Sequence, residues 1–189
     1  MYSALNIPAA TTNSYFGASL TNYTYGDVMG GDANKGSTAA DQSDFTLLET
    51  FSFTTDNSYI KRKWVAVYDA VARANNVMHL AGLIKDELSA IPGQEKDFYT
   101  EAIAQARFMR GFYLFEGIKN FGAAIPYVSL EDYESSVNPL ISNVDESGNY
   151  IYIWEQVAED LQYAYDNLPG AWKSPVVPTN GRLERFWRN

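Results

Sequence analysis

The stretch AIAQARFMRGFYLFEGIKNFGAAIP, residues 102–126, decides the fold of this chain. Its apolar side chains recur at helical spacing and widen until almost no face of the helix is polar, along a stripe of Phe98, Ala102, Ala106, Met109 and Tyr113. A helix that is apolar nearly all round is expected to be buried nearly all round. Gly122 is predicted to end this helix, and Pro126 prevents its restart.

Two arginines, Arg107 and Arg110, lie three residues apart within this apolar helix. Burying an unpaired charge is very costly. We therefore expect both guanidinium groups to find carboxylate or carbonyl partners inside the fold.

Two further helices are predicted from apolar periodicity. The first runs over 57–90, begins after the capping signal Thr55–Asn57, and buries Ile60, Trp64, Val67, Val71, Ala74, Met78, Ala81 and Leu88. Pro92–Gly93 ends it, and so short a connection makes the helix over 95–121 return antiparallel. A third helix over 150–168 buries Ile153, Val157, Leu161, Ala164 and Leu168, and we expect no sheet larger than a short hairpin.

The composition bounds the class of protein and its partners. A chain of 189 residues with 46% hydrophobic residues is typical of one globular domain. Its net charge of -9 argues against nucleic acid as a partner, because phosphate binding needs a basic face. The chain contains no run of about 18 apolar residues, so no membrane-spanning helix is predicted. The absence of cysteine excludes disulfides, thiolate metal sites and cysteine nucleophiles.

The segment Arg107–Pro126, RFMRGFYLFEGIKNFGAAIP, resembles the signature R-F-L-R-A-F-Y-Y-F-x-L-x-x-x-F-G-G-V-P of SusD/RagB-like proteins, the surface glycan-binding lipoproteins of Bacteroidetes. Gly111 replaces the usual alanine, and Ala123–Ile125 replaces Gly-Val. Four more segments, two before this one and two after it, match the family in its order: GDVMGGDANKGS at 26–37, WVAVYDAVARANNVM at 64–78, WEQVAEDLQYAYDNLP at 154–169, and the Gly181-Arg182 pair.

This resemblance implies an all-α fold of TPR-like antiparallel helix hairpins, with long irregular N-terminal and C-terminal segments. It implies that residues 1–189 form one SusD-like N-terminal helical domain, a fragment of a longer family member. These proteins carry a lipidated N-terminal cysteine, so we expect the chain to begin after that anchor.

The role implied by the resemblance is non-catalytic. It is carbohydrate binding at the outer-membrane surface, in polysaccharide utilisation and nutrient uptake, together with a SusC-like TonB-dependent transporter. No cofactor and no metal are implied. An alternative is a TPR-like helical scaffold for protein–protein interaction with no sugar site of its own.

Sugars are bound by aromatic rings flanked by a few polar groups. The candidate ligand-binding residues are Asp56, Asn57 and Tyr59, at the start of the first helix, and Trp172, after the third. Trp64 and Trp154 fall on apolar stripes, and we interpret them as core residues. The loop carboxylates that an enzyme would need are interpreted as solvated charges and turn caps, namely Asp27, Asp32, Glu131, Asp132 and Glu134.

Three further features have two interpretations each. The Gly26–Ser37 segment is interpreted as a structural turn, with a ligand or ion contact as the alternative. Asn75-Asn76, in the middle of the first helix, is expected to bind a neighbouring loop backbone, with a polar ligand contact as the alternative. His79, the only histidine, is expected to be a partly exposed helix residue and not a catalyst.

The third helix lacks the partner helix that Gly181-Arg182 opens in the resembling family. Its apolar face of Val157, Leu161 and Leu168 must be covered, because large exposed apolar patches are uncommon on soluble monomers. The cover is expected from the N-terminal segment or from another copy of the chain, and we favour self-association.

Overall fold

The computed structural model describes residues 23–135 and 140–171, and in these ranges the chain is mostly helical. Seven helices follow one another there: a π-helix Tyr23–Val28, α1 (Ser43–Glu49), α2 (Ser58–Leu83), α3 (Lys85–Ser89), α4 (Phe98–Phe121), α5 (Leu130–Glu134) and α6 (Trp154–Asn167). These ranges contain no strand and only two isolated bridges, Pro92 with Asp97 and Val144 with Tyr150.

The prediction of a mostly helical fold with three long helices is confirmed, whereas the TPR-like character of the hairpins stays a prediction. The irregular terminal segments fall largely on residues 1–22 and 172–189, outside the described residues. Within the described ranges, no helix is both long enough and apolar enough to cross a bilayer.

Helix α4 packs between α2 and α6 and runs antiparallel to α2. Arg110, in the middle of α4, donates a hydrogen bond to Asn75 in the second half of α2, whereas Glu116, further along α4, pairs with Lys63 near the start of α2. The short connection between α3 and α4 thus produces the predicted hairpin.

The contacts of α4 with α6 are antiparallel as well. Arg110 meets Asp160 in the middle of α6. Just beyond the end of α4, the carbonyl of Ala123 accepts a hydrogen bond from the backbone N–H of Ile153, which precedes α6. Both long neighbours of α4 therefore start at the end of the bundle where α4 stops.

Three clusters of buried side chains make up the core. One joins α2, α4, the loop after α4 and α6, and consists of Val71, Leu114, Ile118, Ala123, Ile125, Ile153 and Val157. A second lies between α2 and α4 and consists of Ala70, Met109 and Tyr113. The third attaches the π-helix and α1 to the start of α2, and consists of Val28, Phe45, Leu48 and Tyr59.

The helix predicted over 57–90 is divided in two. Helix α2 ends at Leu83, and the non-helical backbone of Ile84 (φ -123°, ψ 36°) separates it from α3. Gly82, a poor helix former, lies two residues before the break. Leu88 of the predicted stripe therefore belongs to a separate short helix.

Two short helices, α1 and α5, were not individually predicted. With seven and five residues they are too short to show a clear period. Helix α5 does have a local signal, since Ser129 and Asp132 form a reciprocal capping box: Ser129 Oγ accepts from the backbone N–H of Asp132 at 3.0 Å, and the Asp132 carboxylate accepts from that of Ser129 at 2.9 Å.

Val157 and Leu161 of the apolar face of α6 pack in a cluster shared with α4, where the expectation was cover by the N-terminal segment or a second copy. Val157 is buried in the cluster shared with α4, and Leu161 packs against that cluster. The reason given for self-association is therefore wrong, because the cover comes from the helix hairpin next to α6. Self-association itself stays a prediction.

Candidate functional site

A buried ionic network ties the three long helices together. Asp160 of α6 has no exposed surface and accepts hydrogen bonds from both arginines of α4: Arg107 Nε at 2.7 Å, Arg110 Nε at 2.6 Å and Arg110 Nη2 at 2.8 Å. Arg110 Nη1 donates to Asn75 Oδ1 of α2 at 2.8 Å. The expectation that both arginines find partners is confirmed.

The electrostatics keep Arg110 charged. Burial by itself lowers the pKa of Arg110, but the hydrogen bonds and the negative charge of Asp160 outweigh burial, so the pKa lies above its usual value. The network therefore holds α2, α4 and α6 together through paired charges and hydrogen bonds.

The same network anchors the loop after α4. Asn75 Nδ2 donates to the carbonyl of Val128 at 3.0 Å, and the Tyr68 hydroxyl donates to the carbonyl of Pro126 at 2.8 Å. The Arg110 guanidinium lies over the ring of Tyr127, 5.1 Å from its centroid. The interpretation of Asn75 as a residue that binds a loop backbone is confirmed.

The loop leads into α5, which contacts α2. His79 Nδ1 lies 2.9 Å from Glu134 Oε1, and the Tyr133 hydroxyl donates to Asn76 Oδ1 at 3.1 Å. His79 is partly exposed, as the sequence predicts, and Asp132 caps α5 as a loop carboxylate was expected to do. In the described ranges, no group of three or more metal-ligating side chains occurs.

The Gly26–Ser37 segment begins in the π-helix and forms the structural turn that the sequence predicts from Gly31 onward. The carbonyl of Asp27 accepts from the backbone N–H groups of Asp32 (2.9 Å) and Ala33 (3.0 Å). Gly31 has φ +84°, a conformation that side chains other than glycine rarely adopt. Lys35 Nζ donates to the carbonyl of Thr38 at 2.8 Å and so closes the turn.

The end of the bundle where α2 and α6 begin and α4 stops carries exposed aromatic rings, and we call it the aromatic end. On its α2 side, Trp64 lies against Tyr68 and Phe121, with ring centroids 4.7 Å and 5.1 Å apart. Trp64 is 37% exposed, so its assignment to the core is wrong. The buried face of α2 is centred on Lys63 and Val67, which places Trp64 at the edge of that face.

On its α6 side, the aromatic end consists of the segment that leads into the helix. Tyr150, Tyr152 and Trp154 are all more than half exposed, and Trp154 is 51% exposed, so the core assignment of Trp154 is also wrong. Buried Ile153 holds the segment, because its backbone N–H donates to the Ala123 carbonyl at 3.1 Å. Because only Ile153 of this segment is buried, the aromatic side chains on either side of it lie in solvent.

Three of the sequence-predicted ligand residues, Asp56, Asn57 and Tyr59, lie at this same end, but two of them are buried. Asn57 caps α2, accepting from the Tyr59 backbone N–H at 3.0 Å, and its Nδ2 donates to the Asp44 carbonyl at 2.8 Å. Tyr59 is 6% exposed and packs on Phe45 at 5.2 Å between ring centroids. Tyr59 is therefore a core side chain of the cluster that joins α1 to α2.

Of the remaining predicted ligand residues, Asp56 is exposed at the start of α2, and Trp172 lies outside the described residues. The ligand-binding role of all four stays a prediction. Sequence reasoning missed Trp64 and Trp154 as exposed rings, because their positions in the apolar pattern look like core positions.

Three lysines lie in this part of α2 and α4. Lys63 is buried and pairs with Glu116 at 3.5 Å, and Lys119 pairs with the same carboxylate. Burial lowers the pKa of Lys63, and the charge of Glu116 opposes this shift. Lys61, one turn before Trp64, is exposed.

Comparison with known proteins confirms the SusD-like resemblance. The chain is distantly homologous to SusD-like protein P2 of Formosa agariphila, with 27% identity over 139 residues, which is 74% of this chain. The match covers 25% of that relative, so the chain spans about a quarter of its length. No family model matches the chain, and no solved structure matches it.

Proposed function

We propose that this chain is the N-terminal helical part of a non-catalytic, cell-surface glycan-binding protein that works with a SusC-like TonB-dependent transporter in polysaccharide uptake. The SusD-like resemblance and the distant SusD-like relative support this role. In this proposal the protein is a lipoprotein of the outer membrane, and its partners are an oligosaccharide or polysaccharide and the transporter.

The aromatic end is the observation that carries the proposal. Flat aromatic faces can lie against the C–H faces of sugar rings, and neighbouring polar groups then orient the sugar. Trp64 is held by Tyr68 and Phe121, so little rotamer entropy is lost when a sugar binds. Asp56 supplies a solvent-exposed carboxylate at the same end, and Trp172 is proposed as a further aromatic contact.

The alternative is a helical scaffold that docks another protein and holds no sugar itself. One observation favours it, because apolar side chains are also exposed at the opposite end of the bundle, among them Leu80, Leu83, Ile84, Ile91 and Phe98. Phe98 was expected on the buried stripe of α4 but lies exposed in its first turn. Exposed apolar groups of this kind often mark contact surfaces.

Titration calorimetry against a panel of plant and host polysaccharides tests the glycan proposal. Trp64→Ala and Trp154→Ala are each expected to weaken binding at least about fivefold, because an aromatic contact contributes about 1 kcal/mol beyond its buried area. Tyr165→Ala is the matched control, since Tyr165 is 83% exposed on α6, distant from the aromatic end. All three variants should keep the wild-type circular dichroism.

The outcomes separate the two functions. A wild-type chain that binds no glycan but binds a purified SusC-like transporter would leave the scaffold alternative. Equal losses for Tyr165→Ala and Trp64→Ala would mean that the aromatic end is not the sugar site.

A further inference from the structure

The face of α2 that displays Trp64 also carries a cation that has no partner within residues 23–135 and 140–171. Lys61, Trp64 and Tyr68 are spaced three and then four residues apart, so they lie along one face of the helix. Lys61 is exposed, and among the described residues its ammonium group makes neither a hydrogen bond nor an ion pair. A free ammonium group therefore stands one helical turn from an exposed indole ring.

The other charged groups near this face are mostly paired with one another. Glu116 binds two ammonium groups, that of Lys63 on the buried face of α2 and that of Lys119 on α4. Asp69, next to Tyr68, is already paired with Arg73 at 2.8 Å. Asp56, an exposed carboxylate at the same end, forms no ion pair with Lys61 in the described structure.

The α6 side of the aromatic end has the opposite charge. Exposed Asp145, Glu146 and Glu155 flank the segment with Tyr150, Tyr152 and Trp154. In a chain with a net charge of -9, the positive charge of exposed Lys61 one turn from Trp64 is a local feature.

We infer from this placement that the Trp64 side of the aromatic end selects glycans that carry negatively charged groups, carboxylate or sulfate. A sugar ring lies on Trp64 and Tyr68, and its anionic group meets the Lys61 ammonium. The inference rests on the proposed function and narrows its ligand class. An exposed lysine contact is worth about a two- to fivefold change in affinity at low salt, and screening by salt weakens it.

The test compares sugars that differ only in charge. Galacturonate hexasaccharide and its methyl ester form one pair, and a sulfated galactan oligosaccharide and its desulfated form make the other. Calorimetry at low ionic strength is expected to show about three- to fivefold tighter binding of the charged member in at least one pair. The pair that responds tells carboxylate from sulfate.

Three variants assign the effect to a residue. Lys61→Gln is expected to remove most of the preference for the charged sugar and to leave binding of the neutral one unchanged. Lys96→Gln is the matched control, because it removes the same charge from an exposed lysine at the opposite end of the bundle, and the preference should survive it. Trp64→Ala should weaken both members of a pair alike.

Equal binding of charged and neutral sugars would overturn the inference and leave the proposed function standing. Equal effects of Lys61→Gln and Lys96→Gln would also overturn it, because the preference would then reflect overall charge. A chain that binds none of the four sugars, nor any polysaccharide of the wider panel, would overturn the inference and the glycan proposal together.

Discussion

At the scale of single residues, the buried carboxylate of Asp160 pairs with both arginines of α4. Its two carboxylate oxygens accept three hydrogen bonds from two arginines, one of which is buried. Breaking a buried ion pair by removing one partner is costly, because the other charge stays buried without compensation. This single side chain therefore links the positions of α4 and α6.

Asp160→Asn should lower the free energy of unfolding by about 3–5 kcal/mol, because Arg110 then loses its charged partner. Urea denaturation measures the change. Asp166→Asn, on the exposed side of α6, is the control and should stay within about 0.5 kcal/mol of wild type. Equal stabilities of the two variants would contradict a structural role for the network.

Tyr59→Ala tests whether Tyr59 is a core residue. Removing this buried ring should cost about 3–5 kcal/mol, because it leaves a cavity beside Phe45. The exposed Tyr165→Ala should cost less than about 0.5 kcal/mol. Thermal melting followed by circular dichroism gives both values. A stable Tyr59→Ala variant with reduced glycan binding would restore Tyr59 as a direct ligand contact.

At the scale of elements, α4 owes its central place to close packing on both sides. Toward α2, Gly117 lets Val67 and Ile125 approach the helix axis. Toward α6, Gly111 faces Leu161. At its start, the buried carboxylate of Glu101 accepts from three backbone N–H groups in the connection at 94–96, which fixes the approach of α3.

Gly117→Ala tests the α2–α4 contact. A Cβ at this position would lie 2.9 Å from Ile125 Cδ1 and 3.2 Å from Val67 Cγ1, so we expect a net loss of about 1 kcal/mol despite the higher helix propensity of alanine. Gly82→Ala in α2 meets nothing within 4 Å and should stabilise the protein by about 0.5–1 kcal/mol. Urea unfolding compares them, and a gain for both would show that α2 can yield to α4.

Asp97 makes the start of α4 sensitive to acid. Hydrogen bonds from the Thr100 side chain and from its backbone N–H hold the pKa of Asp97 below its usual value. Because the folded protein then binds this proton less readily than the unfolded chain, the stabilisation is present above the unfolded value of about 3.9 and is lost as the pH falls through the folded-state pKa.

Asp97→Asn keeps a capping acceptor but cannot titrate. Its stability should therefore fall less than that of wild type between about pH 5 and pH 2. Urea denaturation at several pH values checks this. Parallel pH profiles would mean that the cap of α4 contributes nothing to acid sensitivity.

At the scale of the whole molecule, the antiparallel order of α2, α4 and α6 separates two ends with different character. The aromatic end gathers the starts of α2 and α6, whereas the opposite end exposes aliphatic side chains around α3. The proposed sugar site and the exposed aliphatic side chains around α3 thus lie at opposite ends of one bundle.

Val157→Ala tests whether the α6 face is covered within one molecule. The substitution should lower stability by about 1–3 kcal/mol, because Val157 is buried against α4. The size of this loss should not depend on protein concentration, since no second copy is needed to cover the face. A loss that disappears at high protein concentration would mean that a second copy covers Val157.

The three long helices were predictable because apolar periodicity is a local property of the chain. The partners of Arg107 and Arg110 were predictable in kind, since an unpaired buried charge is too costly to persist. The break at Ile84 and the short helices α1 and α5 were not, because a few residues show no period and their bounds depend on tertiary contacts.

The sequence by itself determined an all-helical hairpin around α4 and a need for buried carboxylates. Only the tertiary structure decided that Asp160, 50 residues beyond Arg110, meets that need, and that Trp64 and Trp154 face solvent while Tyr59 is buried. The physical reason is that a stripe defines a helix face only to within about one residue position. Whether a ring at its edge is buried depends on which distant segment packs beside it: α1 covers Tyr59, and the described segments leave Trp64 partly in solvent.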